Sequence, residues 1–191
     1  SLVAFKDFMK SMAMHNRNNP ENTIRWVGQY ITRPIHQIPK GYYDQLALSG
    51  AEGLTIGVES GSDAVREHMK KKFKTVDIDH EINEFDKRSI TCVLLFFSCY
   101  PTETWRDFLE MLIRYQKYCA SGTVYKMTLG IPYTHHRDTP LWNMQQNIEL
   151  DYSERSDIMW LLKDNKDLTF HERLRRRLIL QEVCFALHLP L

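Results

Sequence analysis

Apolar and polar positions follow one another along the chain in two patterns, one typical of strands and one typical of helices. Short apolar or β-branched runs predict four strands, within residues 24–32, 54–58, 90–97 and 123–129. Apolar side chains three and four positions apart predict helices over about 3–14, 41–49, 76–88 and from Trp105 up to Gly122, with another around Val65 and Met69. Strands that alternate with helices pair in parallel through right-handed crossovers. The pattern therefore predicts an α/β fold.

The end of the chain has a different pattern, because only helical spacing is found there. Two final helices are predicted, over about Tyr152–Lys163 and Thr169–His188. We therefore expect residues 1–150 to form the α/β part and residues 151–191 to form a helical extension packed on it. Within the α/β part, the run Ile90–Phe97 is almost continuously apolar, which predicts a strand covered on both faces.

Composition and charge exclude several classes of protein. The 191 residues are 43% hydrophobic and 26% charged, as in an ordinary globular domain. With 25 basic and 24 acidic side chains the net charge is +1, so no overall field favours nucleic acid or an anionic membrane. No apolar run approaches the roughly 18 residues of a membrane span, and the four cysteines have neither zinc-site nor disulfide-scaffold spacing. We expect a cytoplasmic protein with no nucleic-acid or membrane partner.

Candidate chemistry is expected where the strands end, because parallel α/β folds place ligand-binding groups at the carboxyl ends of their strands. Polar or reactive side chains follow each predicted strand: Arg33 and His36, then Glu59, Ser60 and Ser62, then Ser98, Cys99 and Thr102, then Tyr133, His135 and His136. They should converge on one rim. Gly57 and Gly61 are expected to let the backbone approach a ligand there.

Each of these features also has a simpler interpretation. Glu59 or Ser60 could only accept hydrogen bonds from the amides at the start of the next helix. The basic run of Lys70, Lys71, Lys72 and Lys74 could contact phosphate, but a solvated helix end explains it, so it is assigned no function. Adjacent His135 and His136 lack the spacing of a metal site. A Cys99 nucleophile lacks an identifiable base.

One segment resembles a known family. Gly53–Asp63, followed by Val65, Met69 and Lys70, is similar to the fourth-strand signature of radical S-adenosylmethionine (SAM) enzymes, especially those with a cobalamin-binding domain. Further similar features follow the family's order over about residues 1–142: Arg25–Gln29 with Arg33-Pro34, the helix ending at Gly50, Ile90–Phe97 with Tyr100–Thr104, and Asp138–Leu141. The resemblance implies strands three to six of a partial TIM-like barrel.

The resemblance also implies cofactors and site residues. In the intact protein it implies SAM and a 4Fe-4S cluster, with cobalamin as a further candidate. Carried over by position, Glu59, Ser60, Ser62 and the backbone at Phe97 would bind SAM, and Gln29, Arg33, Tyr133 and His135 would face the substrate. No catalytic side chain and no metal ligand is assigned, because the family's three cysteines at i, i+4 and i+7 are absent. Cys99 and Asp138 stand where the family has glycine.

Two functions follow from these observations. The first is the carboxyl-terminal portion of a radical SAM core, a fragment that is inactive alone because it lacks the cluster ligands. The alternative is a non-catalytic α/β binding or scaffold module. In either case the strand within Ile24–Thr32 would be an unpaired edge beside a bare inner face, so we expect a homo-oligomer, or pairing with the missing amino-terminal half.

Overall fold

The computed structural model describes residues 2–128, 148–150, 160–162 and 168–186, which form an α/β fold. The helices are α1 (Leu2–Asn18), α2 (Tyr42–Leu48), α3 (Asp63–His68), α4 (Thr75–Asp86), α5 (Trp105–Cys119) and α6 (Phe170–Ala186), with short 3₁₀ turns at Pro20–Asn22 and Ile35–Gln37. The strands are β1 (Trp26–Tyr30), β2 (Ala51–Glu59), β3 (Thr91–Phe96), β4 (Val124–Met127), β5 (Ile148–Leu150) and β6 (Trp160–Leu162). No described helix is both long and apolar enough to cross a membrane.

Strands β1 to β4 form one sheet in sequence order, and every neighbouring pair is parallel. In the register, Gln29 lies opposite Thr55 and Gly57 lies opposite Leu95. This arrangement confirms the predicted α/β class and the four parallel strands of a partial barrel. Because the strands run the same way, their carboxyl ends meet at one edge of the sheet.

One face of the sheet carries the core. Alternate β2 side chains, Leu54, Ile56 and Val58, are buried with Leu94 and Phe96 of β3. They pack with buried residues of the helices, among them Met9, Leu46, Ile78, Phe85 and Phe108. Burial of alternate positions is the period-two pattern of strands that are packed mainly on one side.

The opposite face of the sheet is far more open. Val27, Ile31 and Tyr125 are 76%, 73% and 70% exposed, and Val93 and Leu95 are only partly buried. The expectation that the 90–97 strand is covered on both faces is therefore wrong, because Val93 and Leu95 remain partly exposed on the second face. A continuous apolar run has the same appearance whether its second face is packed or lines the inside of an incomplete barrel.

The carboxyl-terminal part differs from the sequence prediction in one segment. Residues Trp160–Leu162, expected within a helix, form a strand that pairs antiparallel with Ile148–Leu150. The last predicted helix is confirmed as α6. It packs against the turn that follows β3, where buried Arg176 donates a 3.1 Å hydrogen bond to the Glu103 carboxylate.

Candidate functional site

A cavity of about 430 Å³ lies where β1 and β2 end. Its lining includes three of the predicted site residues, Gln29, Arg33 and Glu59. Gln29 belongs to β1, Arg33 follows β1, and Glu59 is the last residue of β2. The volume lies in the range of about 300–1,000 Å³ that is typical of small-molecule sites. The strand-end rule therefore brings these three side chains to one place.

Glu59 adopts an unusual backbone conformation at the end of β2. Its φ is 68°, in the left-handed region that non-glycine residues rarely adopt. The side chain folds back over Gly57, where an added Cβ would lie 2.7 Å from the Glu59 Oε1 atom. Lys71 Nζ donates a 2.8 Å hydrogen bond to the same Oε1. Gly57 therefore makes room for the Glu59 carboxylate and not directly for a ligand.

A tight turn after α3 brings three lysines to the cavity. The Lys70 amide donates to the Glu67 carbonyl and the Lys71 amide donates to the Arg66 carbonyl, the pattern of a Schellman helix end. Lys70 has φ 60°, at the position where such turns usually have glycine. The turn reverses the chain, so that Lys70, Lys71 and Lys72 line the cavity with Glu59.

The loop that carries Arg33 is held from behind by α4. The Glu81 carboxylate accepts a 2.9 Å hydrogen bond from the Tyr30 hydroxyl and a 3.3 Å bond from the Arg33 amide. Asp77 accepts a 2.9 Å bond from the Ile35 amide. Burial raises the pKa of Glu81 to about 7. These two carboxyl side chains fix the direction in which the chain leaves β1.

Ser60 and Ser62 are both fully buried, and each is bonded within the protein. Ser60 Oγ accepts a 3.2 Å bond from the Ser62 amide, and Ser62 Oγ donates a 2.5 Å bond to Asp107 at the start of α5. The Ser60 carbonyl accepts a bond from the buried Arg66 guanidinium. In this conformation the two serines stabilise the turn, and neither lines the cavity.

Gly61 allows close packing of a helix, which differs from the expectation. A Cβ added at Gly61 would lie 2.3 Å from the Met111 Cα and 2.9 Å from the Met111 amide nitrogen. The space beside this glycine is therefore filled by the backbone of α5. The sequence could not distinguish a helix from a ligand as the close neighbour.

The turn after β3 lies beside Glu59. The Phe97 amide donates a 2.9 Å hydrogen bond to the Glu59 carbonyl, so the two predicted SAM-binding positions are joined through their backbones. Cys99, with φ 64°, is fully buried, and burial raises the pKa of its thiol to about 12. A protonated, buried thiol is a poor nucleophile. The structure therefore favours packing over catalysis for Cys99.

Two of the predicted substrate-side residues, Tyr133 and His135, lie outside the described residues, as do His136 and Asp138. Within the described residues, no group of three or more His, Cys, Asp or Glu side chains could hold a metal ion.

The lysine run is the feature of the site that sequence reasoning missed. The predicted solvated helix end is confirmed, since Lys70 and Lys72 are exposed just after α3, but Lys70, Lys71 and Lys72 also line the same cavity as Arg33 and Glu59. The sequence gives no signal for this, because the length of α3 is known only from the folded chain. A helix of only six residues, followed by a reversing turn, returns the chain to the strand end from which it left.

Comparison with known proteins supports the fold. No protein-family model matches the chain, and no curated protein matches it significantly. A structure of the radical S-adenosylmethionine methyltransferase TsrM from Kitasatospora setae, with tryptophan substrate and the SAM analog aza-SAM bound, matches 77% of this chain with TM-score 0.59 and 14% identity. A TsrM structure with cobalamin and a [4Fe-4S] cluster bound matches the same share with TM-score 0.61 and 14% identity.

These matches involve only part of the solved proteins. The aligned region covers 29% and 30% of the two TsrM chains. At 14% identity the similarity is one of fold. The chain therefore has the fold of part of a radical SAM methyltransferase structure.

Proposed function

We propose that this chain is the carboxyl-terminal portion of a radical SAM core and that the cavity at the ends of β1 and β2 helps to bind S-adenosylmethionine. In this proposal the chain is inactive alone, because the cluster ligands belong to another segment. Glu59 and the backbone at Phe97 would contact SAM. Gln29 and Arg33 would face the substrate, together with Tyr133 and His135.

The observation that carries the proposal is the convergence of Gln29, Arg33 and Glu59 on one cavity. The parallel sheet and the similarity of its fold to part of TsrM also support the proposal. Glu59 supplies suitable chemistry, since its Oε2 accepts no hydrogen bond from the described residues and is able to accept bonds from ribose hydroxyls or an amine. Its left-handed backbone is the kind of local strain found at binding sites.

The residues present fit SAM but do not fit an iron-sulfur cluster. The cavity volume and the Glu59 carboxylate suit a polar nucleoside ligand. By contrast, the four cysteines are 7, 20 and 65 positions apart, three are buried, and none lines the cavity. In this proposal the ligands of the cluster therefore lie outside this chain, and cobalamin is a further candidate cofactor of the intact protein.

The test is a titration of this chain with SAM, followed by amide chemical shifts. Shifts are expected at Gln29, Arg33 and Glu59, and Glu59→Gln should weaken binding by about tenfold, as for a lost charge-assisted hydrogen bond. The matched control is Glu52→Gln, which alters an exposed glutamate at the other end of β2. Equal weakening by both variants, or shifts remote from the cavity, would contradict the proposal.

A second candidate function is a non-catalytic α/β binding or scaffold module. The observation that favours it is the complete internal bonding of Ser60 and Ser62, which explains their turn without a ligand. The coding region upstream of Ser1 separates the two candidates. A triplet of cysteines with the family spacing supports the radical SAM core, and a start codon at this point supports the module.

A further inference from the structure

The cavity has an unbalanced charge. Among the described residues, four basic side chains line it, those of Arg33, Lys70, Lys71 and Lys72, against the single carboxylate of Glu59. The whole chain is almost neutral, at a net charge of +1. The excess of positive charge is therefore a local property of this cavity, and it does not follow from composition.

The Glu59 carboxylate is already neutralised by Lys71, one of the four described cations. Lys71 Nζ lies 2.8 Å from Glu59 Oε1, and both side chains are partly buried. The other three cations, Arg33, Lys70 and Lys72, make no ion pair with a carboxylate among the described residues. Like charges around one concavity repel one another and raise the local concentration of anions.

The backbone of Lys70 gives a second, independent observation. Its φ of 60° places a lysine at the helix-end position where glycine is favoured. A residue in a disfavoured conformation at the wall of a cavity suggests a role for its side chain. At Lys70 that side chain is a cation that lines the cavity.

We infer that the substrate that binds in this cavity beside S-adenosylmethionine carries an anionic group, a carboxylate or a phosphate, bound by Arg33, Lys70 and Lys72. The inference deepens the proposed function, on which it rests for the location of the ligand. It adds the charge of the substrate, which the proposed function leaves undefined. Arg33 is suited to two-point recognition of either group, and the lysines act as point charges.

The experiment titrates this chain with sodium phosphate and separately with sodium acetate, against sodium chloride at equal ionic strength. Amide chemical shifts report binding. We expect one or both anions to shift the resonances of Arg33 and Lys70–Lys72 saturably, with chloride giving no saturable shift. The anion that binds with the higher affinity identifies the group as a phosphate or a carboxylate.

Three variants separate binding from folding. Lys72→Gln and Lys70→Gly should each weaken anion binding by about threefold, as expected for a partly solvated charge. Lys70→Gly should at the same time raise the melting temperature, because glycine fits the left-handed conformation. The matched control is Lys74→Gln, which alters an exposed lysine outside the cavity and should leave anion binding unchanged.

Two results would overturn the inference: the absence of saturable binding of either anion, or equal weakening by Lys72→Gln and Lys74→Gln. SAM titration of the same sample keeps the two proposals distinct. Binding of SAM at the cavity without binding of phosphate or acetate removes the inference and leaves the proposed function intact. Binding of phosphate or acetate without binding of SAM supports the inference and contradicts the proposed function.

Discussion

At the scale of single residues, the site depends on side chains in conformations that glycine adopts more easily. Glu59, Lys70 and Cys99 all have positive φ, and all three lie near the carboxyl ends of the strands. The sequence predicted Glu59 as a site residue. The resemblance to radical SAM enzymes implied a glycine at the position of Cys99. The location of Lys70 at the cavity could not be predicted from the sequence. A lysine in the left-handed conformation has no sequence signature, because that conformation depends on the turn that follows α3.

Glu81 predicts a pH dependence of stability. Burial raises its pKa from 4.5 to about 7, so the folded state binds this proton more tightly than the unfolded state does. Stability should therefore fall as the pH rises from about 4.5 to about 7, by about 3 kcal/mol for a group of this kind. Urea unfolding at about pH 5 and about pH 8 measures the fall.

Glu81→Gln isolates this contribution from that of other titrating groups. The variant retains an amide oxygen to accept the bonds from the Tyr30 hydroxyl and the Arg33 amide. Its unfolding free energy should fall less than that of the unaltered protein over the same pH interval. An identical pH dependence in the two proteins would show that Glu81 titrates normally.

At the scale of elements, the contact between the turn after β2 and α5 is tightly constrained. Gly61→Ala places a methyl group against the Met111 backbone, which cannot move without displacing the helix. We expect a loss of about 3 kcal/mol of unfolding free energy, the upper end of overpacking costs. The control is Gly122→Ala, whose Cβ would meet no atom within 4 Å and which should change stability by less than about 0.5 kcal/mol.

A Gly61→Ala protein as stable as the Gly122→Ala control would contradict this account of the turn. Chemical denaturation of both variants, with the same slope against urea, gives the comparison directly.

Local patterns in the sequence predicted the order of these elements. They did not predict structure that depends on contacts between separate segments of the chain. Strands β1 to β4 and the helix that begins at Trp105 follow from local patterns, and the structure confirms them. The strand Trp160–Leu162 was predicted as helix, because a short apolar run fits both structures and only its pairing with Ile148–Leu150 settles the choice. That pairing joins segments that no local pattern connects.

At the scale of the whole molecule, the open sheet face predicts self-association. In the described sheet β1 pairs only with β2, and Val27 is 76% exposed beside that edge. Open edges and exposed apolar surface favour association. Light scattering at micromolar concentration should show a homo-oligomer, and Val27→Lys should shift it toward monomer. The control is Val3→Lys, at a comparably exposed valine of α1, which should leave the mass unchanged.

A stable monomer of the unaltered chain at that concentration would contradict the prediction of a homo-oligomer. It would leave pairing with an amino-terminal segment as the remaining way to cover this face.

The central claim is that the carboxyl ends of β1 and β2 form part of a SAM-binding site. A crystal structure of this chain soaked with SAM tests it most directly. The account predicts electron density for the SAM nucleoside next to the Glu59 carboxylate and the backbone at Phe97. This density should lie in the cavity that Gln29 and Arg33 also line. Density for SAM at the amino ends of the strands, or on the outer surface of the helices, would contradict it.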